Sequence, residues 1–277
     1  MPAETCQRIP TVLGEIHVRL SGSGPAMVCW PSLLMDGRMW RAQAAQFGDR
    51  YRMLLIDSPG HGESQPLTRH FTLEECAQCL VQILDAFGIR DCVLVGNSWG
   101  GMMGGVFAAM YPERCRAAVL MNCTASPVGL RQRLEFLLLS ALVARLNTMP
   151  ALLVQRAVIA FAGQTTERSK PAVVAEIRET VLSQNPRSVH WAIRSVVPYR
   201  IDRHAQMKAI RCPVLVVAGE QDRTFPVDET RAMADAIPGA AFVVLPGIGH
   251  LAGLEAPELV NAEIERFLAT AAVAWSR

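Results

Sequence analysis

The 277-residue chain lacks any run of uncharged apolar residues approaching the ~18 that a membrane span requires. Its most lipid-like stretch, residues 134–162, is broken by Glu135, Arg145 and Arg156, so no span is expected. The opening MPAETCQRIPTVLG has no basic segment leading into an apolar one; no secretory leader is visible, and a cytoplasmic location is the expectation. An excess of either charge is also missing, since 27 Lys and Arg stand against 25 Asp and Glu, dispersed along the chain. That distribution offers no basic stripe to a phosphate backbone and argues against a nucleic-acid partner. Internal repeats and low-complexity tracts are absent. No cluster has metal-ligand spacing, so neither a metal nor an organic cofactor is expected.

Cysteine, by contrast, is plentiful, with eight residues. A chain of this length with 51% hydrophobic residues builds a core without a disulfide scaffold. Cys29, Cys92, Cys123 and Cys212 fall in or beside β-like runs, where a free thiol packs as a small hydrophobe. Cys76-x-x-Cys79 has redox spacing but lies in a helical pattern opened by the capping box Thr72-Leu-Glu-Glu75, with no second pair or histidine nearby. Packing is its expected role.

Up to about residue 126, short apolar runs alternate with amphipathic stretches. IHVRL at 16–20 reads as an edge-like, half-exposed strand, and SGSGP at 21–25 as a turn. Further strands are expected at 26–30, 53–56, 92–96 and 117–122, the last two continuous enough to be buried on both faces. Helices are expected over Arg38–Phe47, over Thr72–Phe87 with Gly88 beyond its end, and over Met102–Met110. This alternation predicts βαβ units on a parallel sheet. From 127 to 207 the pattern is helical throughout, with Pro150, Pro171, Pro186 and Pro198 as breakers. Alternation resumes with CPVLVVAGEQD at 212–222 and AAFVVLPG at 240–247, then a closing helix over about Pro257–Ala272. The organisation expected is a core of 1–126 and 206–277, with 127–205 inserted as a helical cap.

LVGNSWGG at 94–101 places Gly96-Asn97-Ser98-Trp99-Gly100 between a buried strand and a helix, the strand–turn–helix setting of a nucleophile elbow. Such a turn strains the serine backbone and aims the positive end of the helix at charge developing beside it. A base and an orienting acid are then required. His250 lies on a glycine-flanked loop between a strand and the last helix, in VVLPGIGHLAGLEAPE. Asp222, in VVAGEQDRTFP, follows the strand at 214–218, whereas Asp228 and Asp235 fall on the next helix. The strand after the elbow helix ends in Met121-Asn122-Cys123 without a carboxylate, leaving Asp222 preferred. Ser98, Asp222 and His250 thus follow strands in the order Ser…Asp…His. His17, His70, His190 and His204 read as solvent-facing or structural.

These stretches, with LLIDSPGHGESQP at 54–66, resemble the α/β-hydrolase superfamily over about 26–125 and 206–270. The resemblance implies an α/β fold: a mostly parallel central sheet flanked by helices, with an inserted helical lid. It implies a cofactor-free serine hydrolase in which Ser98 attacks a carbonyl, His250 moves the proton and Asp222 orients the imidazole; His61, in the D-x-P-G-H-G-x-S stretch, becomes structural. WPSLLMDGRMW at 30–40 and NCTAS at 122–126 are similar to the 3-oxoadipate enol-lactonase branch, so the expected partner is a small-molecule ester or lactone. Members usually end the strand at 26–30 in His-Gly, and an N–H just beyond supplies half of the oxyanion hole. Trp30-Pro31 stands there instead, and proline has no N–H. The implied donors are the amides of Ser32, with Leu33 next, and Trp99. Two alternatives stay open: a C–C bond hydrolase, whose elbows share Gly-Asn-Ser, and a non-catalytic small-molecule receptor. In the lid, Leu134–Leu142, Ala151–Phe161 and Val173–Val181 are expected to roof the pocket, with Trp191 and Tyr199 as lining; oligomeric state is left open.

Overall fold

Short apolar segments pair into a single eight-stranded sheet in the computed structural model, which describes residues 4–275. In chain order the strands are β1 (Thr5–Thr11), β2 (Gly14–Ser21), β3 (Ala26–Trp30), β4 (Arg52–Ile56), β5 (Cys92–Asn97), β6 (Cys115–Met121), β7 (Val214–Gly219) and β8 (Ala241–Leu245). Their spatial order is β1-β2-β4-β3-β5-β6-β7-β8. The first two pairings, β1/β2 and β2/β4, are antiparallel and the rest parallel. Every residue of β3, β5 and β7 is buried, because helices cover both faces of a parallel sheet.

The helices are α1 (Arg41–Phe47), α2 (Leu73–Ala86), α3 (Trp99–Met110), then six between β6 and β7: α4 (Leu130–Leu146), α5 (Ala151–Phe161), α6 (Gln164–Ser169), α7 (Pro171–Ser183), α8 (Pro186–Val196) and α9 (His204–Met207). α10 (Val227–Ala236), α11 (Ala252–Glu255) and α12 (Pro257–Trp275) follow. The capping box on α2 is formed: Glu75 N donates to Thr72 Oγ1 at 3.2 Å and Thr72 N to Glu75 Oε2 at 2.9 Å. Cys76 and Cys79 face the core from this helix, and burial raises both thiol pKa values, that of Cys79 to about 12. No described helix is long and apolar enough to cross a membrane.

Two expectations change. β1 has no apolar alternation, only Ile9 of its seven residues being buried, and it escapes a search for hydrophobic period. It pairs with β2 along its whole length, so β2 is interior and not an edge. His17 is accordingly buried, with Nδ1 3.0 Å from Asp57 Oδ2. The elbow helix also begins at Trp99, three residues before the apolar pattern from Met102, because the glycines that let it start are silent in a hydrophobicity count.

The chain leaves β3 toward β4 on one side, while β5, β6, β7 and β8 build outward on the other. The order reverses between β3 and β5, and loops at the carboxyl ends of strands flanking such a reversal form a crevice.

Candidate active site

Ser98 occupies that reversal point, between the end of β5 and the first residue of α3. Its backbone is at φ 55° and ψ −111°, a strained conformation for a residue with a Cβ. The Ser98 amide donates to Met121 O at 2.8 Å, and Gly100 packs so closely under the β3 terminus that a Cβ there would collide with the Trp30 carbonyl oxygen. A glycine is therefore required two residues after the serine by the approach of the strand.

His250 arrives on the loop between β8 and α11. Its Nδ1 lies 2.8 Å from Asp222 Oδ2. The other oxygen, Oδ1, accepts the amides of Thr224 at 2.7 Å and Phe225 at 3.1 Å, so the turn after β7 fixes the carboxylate plane. With Nδ1 directed at a carboxylate, His250 carries its proton there and presents Nε2 as the free base. Nε2 is buried and has no partner among the described residues. The ring is held between Phe161, stacked at 5.6 Å, and Phe225, tilted at 5.7 Å. Ser98 and His250 both line one cavity of about 330 Å³, whose wall also includes residues of α4, α5 and the end of α8. The three residues read from sequence are thus brought together.

A family profile described as the alpha/beta hydrolase fold matches residues 25–257. The chain belongs to the alpha/beta hydrolase family. Among relatives, RutD of Caulobacter sp. (strain K31), named as a carbamate hydrolase, is 26% identical over 92% of this chain and 94% of its own. The 3-oxoadipate enol-lactonase 2 of Acinetobacter baylyi is 25% identical over 87% of each chain. A solved thermophilic esterase from Thermogutta terrifontis, with malate bound, superposes with a TM-score of 0.89 at 30% identity, covering 96% of this chain and 99% of that one.

This alpha/beta hydrolase supports its site with buried polar groups that hydrophobic pattern does not reveal. Asn97 Nδ2 donates to the His250 carbonyl at 2.8 Å and to Ser32 Oγ at 2.8 Å. Asn122, at φ 47°, donates to the same His250 carbonyl at 2.7 Å and accepts the Gly219 amide at 2.7 Å. Two amide side chains at the ends of β5 and β6 therefore tie the His250 loop to the sheet. Glu255, fully buried on α11, takes three amides: Gly163 at 2.9 Å and Gly249 at 3.2 Å on Oε2, and Leu251 at 3.0 Å on Oε1. The His250 amide itself donates to Phe161 O at 3.0 Å. A Cβ on Gly249 would strike the Gly163 amide, so these two glycines set how closely α5–α6 lie on the histidine loop.

The implied oxyanion turn is also built from within. Ser32 is fully buried and its hydroxyl belongs to the Asn97 network, while Leu33 and Leu34 form the cavity wall. Leu34 has φ 66°, and its amide donates to His61 Nε2 at 3.1 Å. His61 Nδ1 lies 3.0 Å from Pro59 O, so the ring is the neutral Nδ1–H tautomer; burial lowers its pKa to about 4. The structural role expected for His61 is thereby specified: it holds the turn bearing Leu33 and Leu34. Among the described residues neither the Ser32 nor the Leu33 amide donates to a protein acceptor, and Trp99, first in α3, has no acceptor within the helix. The Trp99 ring is stacked on Phe71 at 5.3 Å and lies edge-on to Trp30 at 6.1 Å, which explains an aromatic residue at the end of β3.

The lid expectations divide. Segments from α4 and α5 line the cavity through Phe136, Leu139, Leu153 and Phe161, but α7 contributes nothing to the wall. Trp191 packs on His190 at 4.5 Å, and Tyr199 lies exposed beneath Arg133 and Arg194, so neither reaches the cavity.

Proposed function

We propose that the protein cleaves a carboxylic ester or lactone through an acyl-enzyme on Ser98. The observation that carries this reading is the 2.8 Å Asp222–His250 bond with the opposite imidazole nitrogen unpartnered beside Ser98 in a cavity. His250 Nε2 takes the Ser98 proton as Oγ adds to the substrate carbonyl, and returns it to the departing alkoxide as the tetrahedral intermediate collapses. Asp222 keeps the proton on Nδ1 and stabilises the imidazolium. A water molecule, deprotonated by the same Nε2, then adds to the acyl carbonyl and releases Ser98 and the acid.

The negative oxygen is held by the Trp99 amide and by one from the Ser32–Leu33 turn. Leu33, which lines the cavity, is the better placed of that pair. Residues 127–205 act as the lid whose α4 and α5 give the acyl or alcohol group an apolar surround. Relatives named for ester, lactone and carbamate cleavage share the addition of a nucleophile to a polarised carbonyl, which supports the reaction class and leaves the leaving group to experiment.

Fluorophosphonate labelling tests the reading, followed by turnover on esters of graded acyl length and on lactones beside Ser98→Ala. Labelling confined to Ser98, with turnover lost in the variant, is the expected result. An unlabelled Ser98 ends the proposal, and labelling without turnover on any substrate favours a receptor or a C–C bond hydrolase.

A further inference from the structure

The cavity wall is mostly hydrocarbon, yet four charged side chains reach it: Glu135, Arg156, Arg200 and Arg223. Three of them are neutralised within the protein. Arg156 pairs with Glu135, and Arg223 with Glu167 at 3.0 Å. Arg200 differs. Only 9% of its surface is exposed, and it forms no ion pair among the described residues. Its Nε donates to the Ser126 carbonyl at 2.9 Å and Nη2 reaches Gln132 Oε1 at 3.4 Å, both neutral acceptors, while Nη1 has no hydrogen bond in the described structure. Burial pulls the guanidinium pKa down, and Glu229 opposes this from a distance without touching it. A cation taken out of water with no counter-ion is costly, and the cost is recovered if a ligand brings the anion.

Its place relative to the chemistry is defined by one ring. Phe225 lies 5.2 Å from the Arg200 guanidinium carbon and 5.7 Å from the His250 imidazole. The cation and the base therefore share one phenyl ring as a neighbour, each within 6 Å of its centre, a separation that a short carbon chain spans.

We propose that Arg200 is an anion subsite, and that the preferred substrate is an ester or lactone carrying a carboxylate a few carbons from the scissile carbonyl. The assignment rests on the hydrolase reading for the word substrate, but the anion site itself stands on the cavity. A planar guanidinium with a free N–H edge binds a carboxylate through paired N–H···O bonds, a geometry that an ammonium does not reproduce. The apolar wall around it accommodates the intervening methylenes.

Matched pairs of p-nitrophenyl esters test this: half-esters of succinate, glutarate and adipate beside their methyl-capped twins. The wild-type enzyme should favour the free acid in kcat/KM by about tenfold or more at low ionic strength, as a charge-assisted contact implies. Arg200→Gln should bring that ratio to about one, and Arg200→Lys should leave it between the two. No preference in the wild type, or one that survives in Arg200→Gln, overturns the assignment; the wild-type comparison decides if the variants do not fold. Calorimetric titration of Ser98→Ala with glutarate separates this failure from that of the hydrolase reading. Glutarate binding abolished by adding Arg200→Gln supports the subsite even if no ester is ever turned over. Absence of binding, or binding indifferent to Arg200, refutes it.

Discussion

Acid should weaken this protein through one ring in particular. His61 is wholly enclosed, and its Nε2 is occupied by the Leu34 amide, so a second proton enters only by displacing that hydrogen bond. Burial lowers its pKa to about 4 from the ordinary 6.5. Between those values the unfolded chain binds the proton and the folded one does not, so stability rises with pH across the window. The contribution is whole above pH 6.5 and is lost progressively as pH falls toward 4. At about 1.4 kcal/mol per unit, the loss amounts to about 3 kcal/mol over the full window. Urea unfolding followed by tryptophan fluorescence, repeated from pH 7.5 to 4.5 on wild type and His61→Gln, isolates this effect from the titration of every other group. At pH 7.5 the variant should be less stable by about 1–3 kcal/mol, because the buried Leu34 amide loses its acceptor or keeps a poorer one. Towards pH 4.5 the gap should shrink by about 2–3 kcal/mol, since only wild type carries the penalised histidine. A gap that stays constant across the range would refute the tautomer and the burial argument together.

Glu255→Gln replaces a carboxylate that accepts three amides by a group with one carbonyl oxygen. It should cost about 1–3 kcal/mol and lower kcat more than it raises KM, which unfolding and steady-state kinetics measure. Unchanged kcat and stability would remove its positioning role. Gly100→Ala drives a methyl into the Trp30 carbonyl and should abolish fluorophosphonate labelling even where circular dichroism shows a folded chain. Removing an amide at the proposed oxyanion turn by Leu33→Pro should reduce turnover on the order of 10²-fold in a folded variant, and Ser32→Pro less; full activity in both would move the oxyanion hole elsewhere.

The grouping of Ser98, Asp222 and His250 was legible because each follows a strand whose apolar run is unmistakable, and because a parallel sheet sends the carboxyl ends of its strands to one edge. The inserted helices were legible as a change of period bounded by prolines. What escaped is of two kinds. β1 carries its strand identity in pairing and not in hydrophobicity, so TCQRIPT gives no periodic signal, and missing it made the neighbouring strand look like an edge. The second kind is polar residues whose partners are backbone groups far away in sequence. Asn122 and Glu255 serve amides and carbonyls up to 128 residues distant, and nothing local distinguishes them from any surface Asn or Glu. Arg200 was hidden in the same way, since an arginine in a helical insert is usually solvated.

The bond between the His250 amide and Phe161, with Glu255 grasping Gly163 and Gly249 together, stitches the end of α5 to the His250 loop. A molecule entering the cavity has to pass somewhere, and this seam is the wrong place to part: lifting α5 there would strip the imidazole of its anchors. α4 bears Leu130, Leu134 and Leu138 exposed to solvent, and it is tied to α5 by the Glu135–Arg156 ion pair rather than to the histidine loop. No hydrogen bond among the described residues joins α4 to the His250 loop, so substitutions on α4 should reshape the cavity wall while the anchors of the imidazole stay in place.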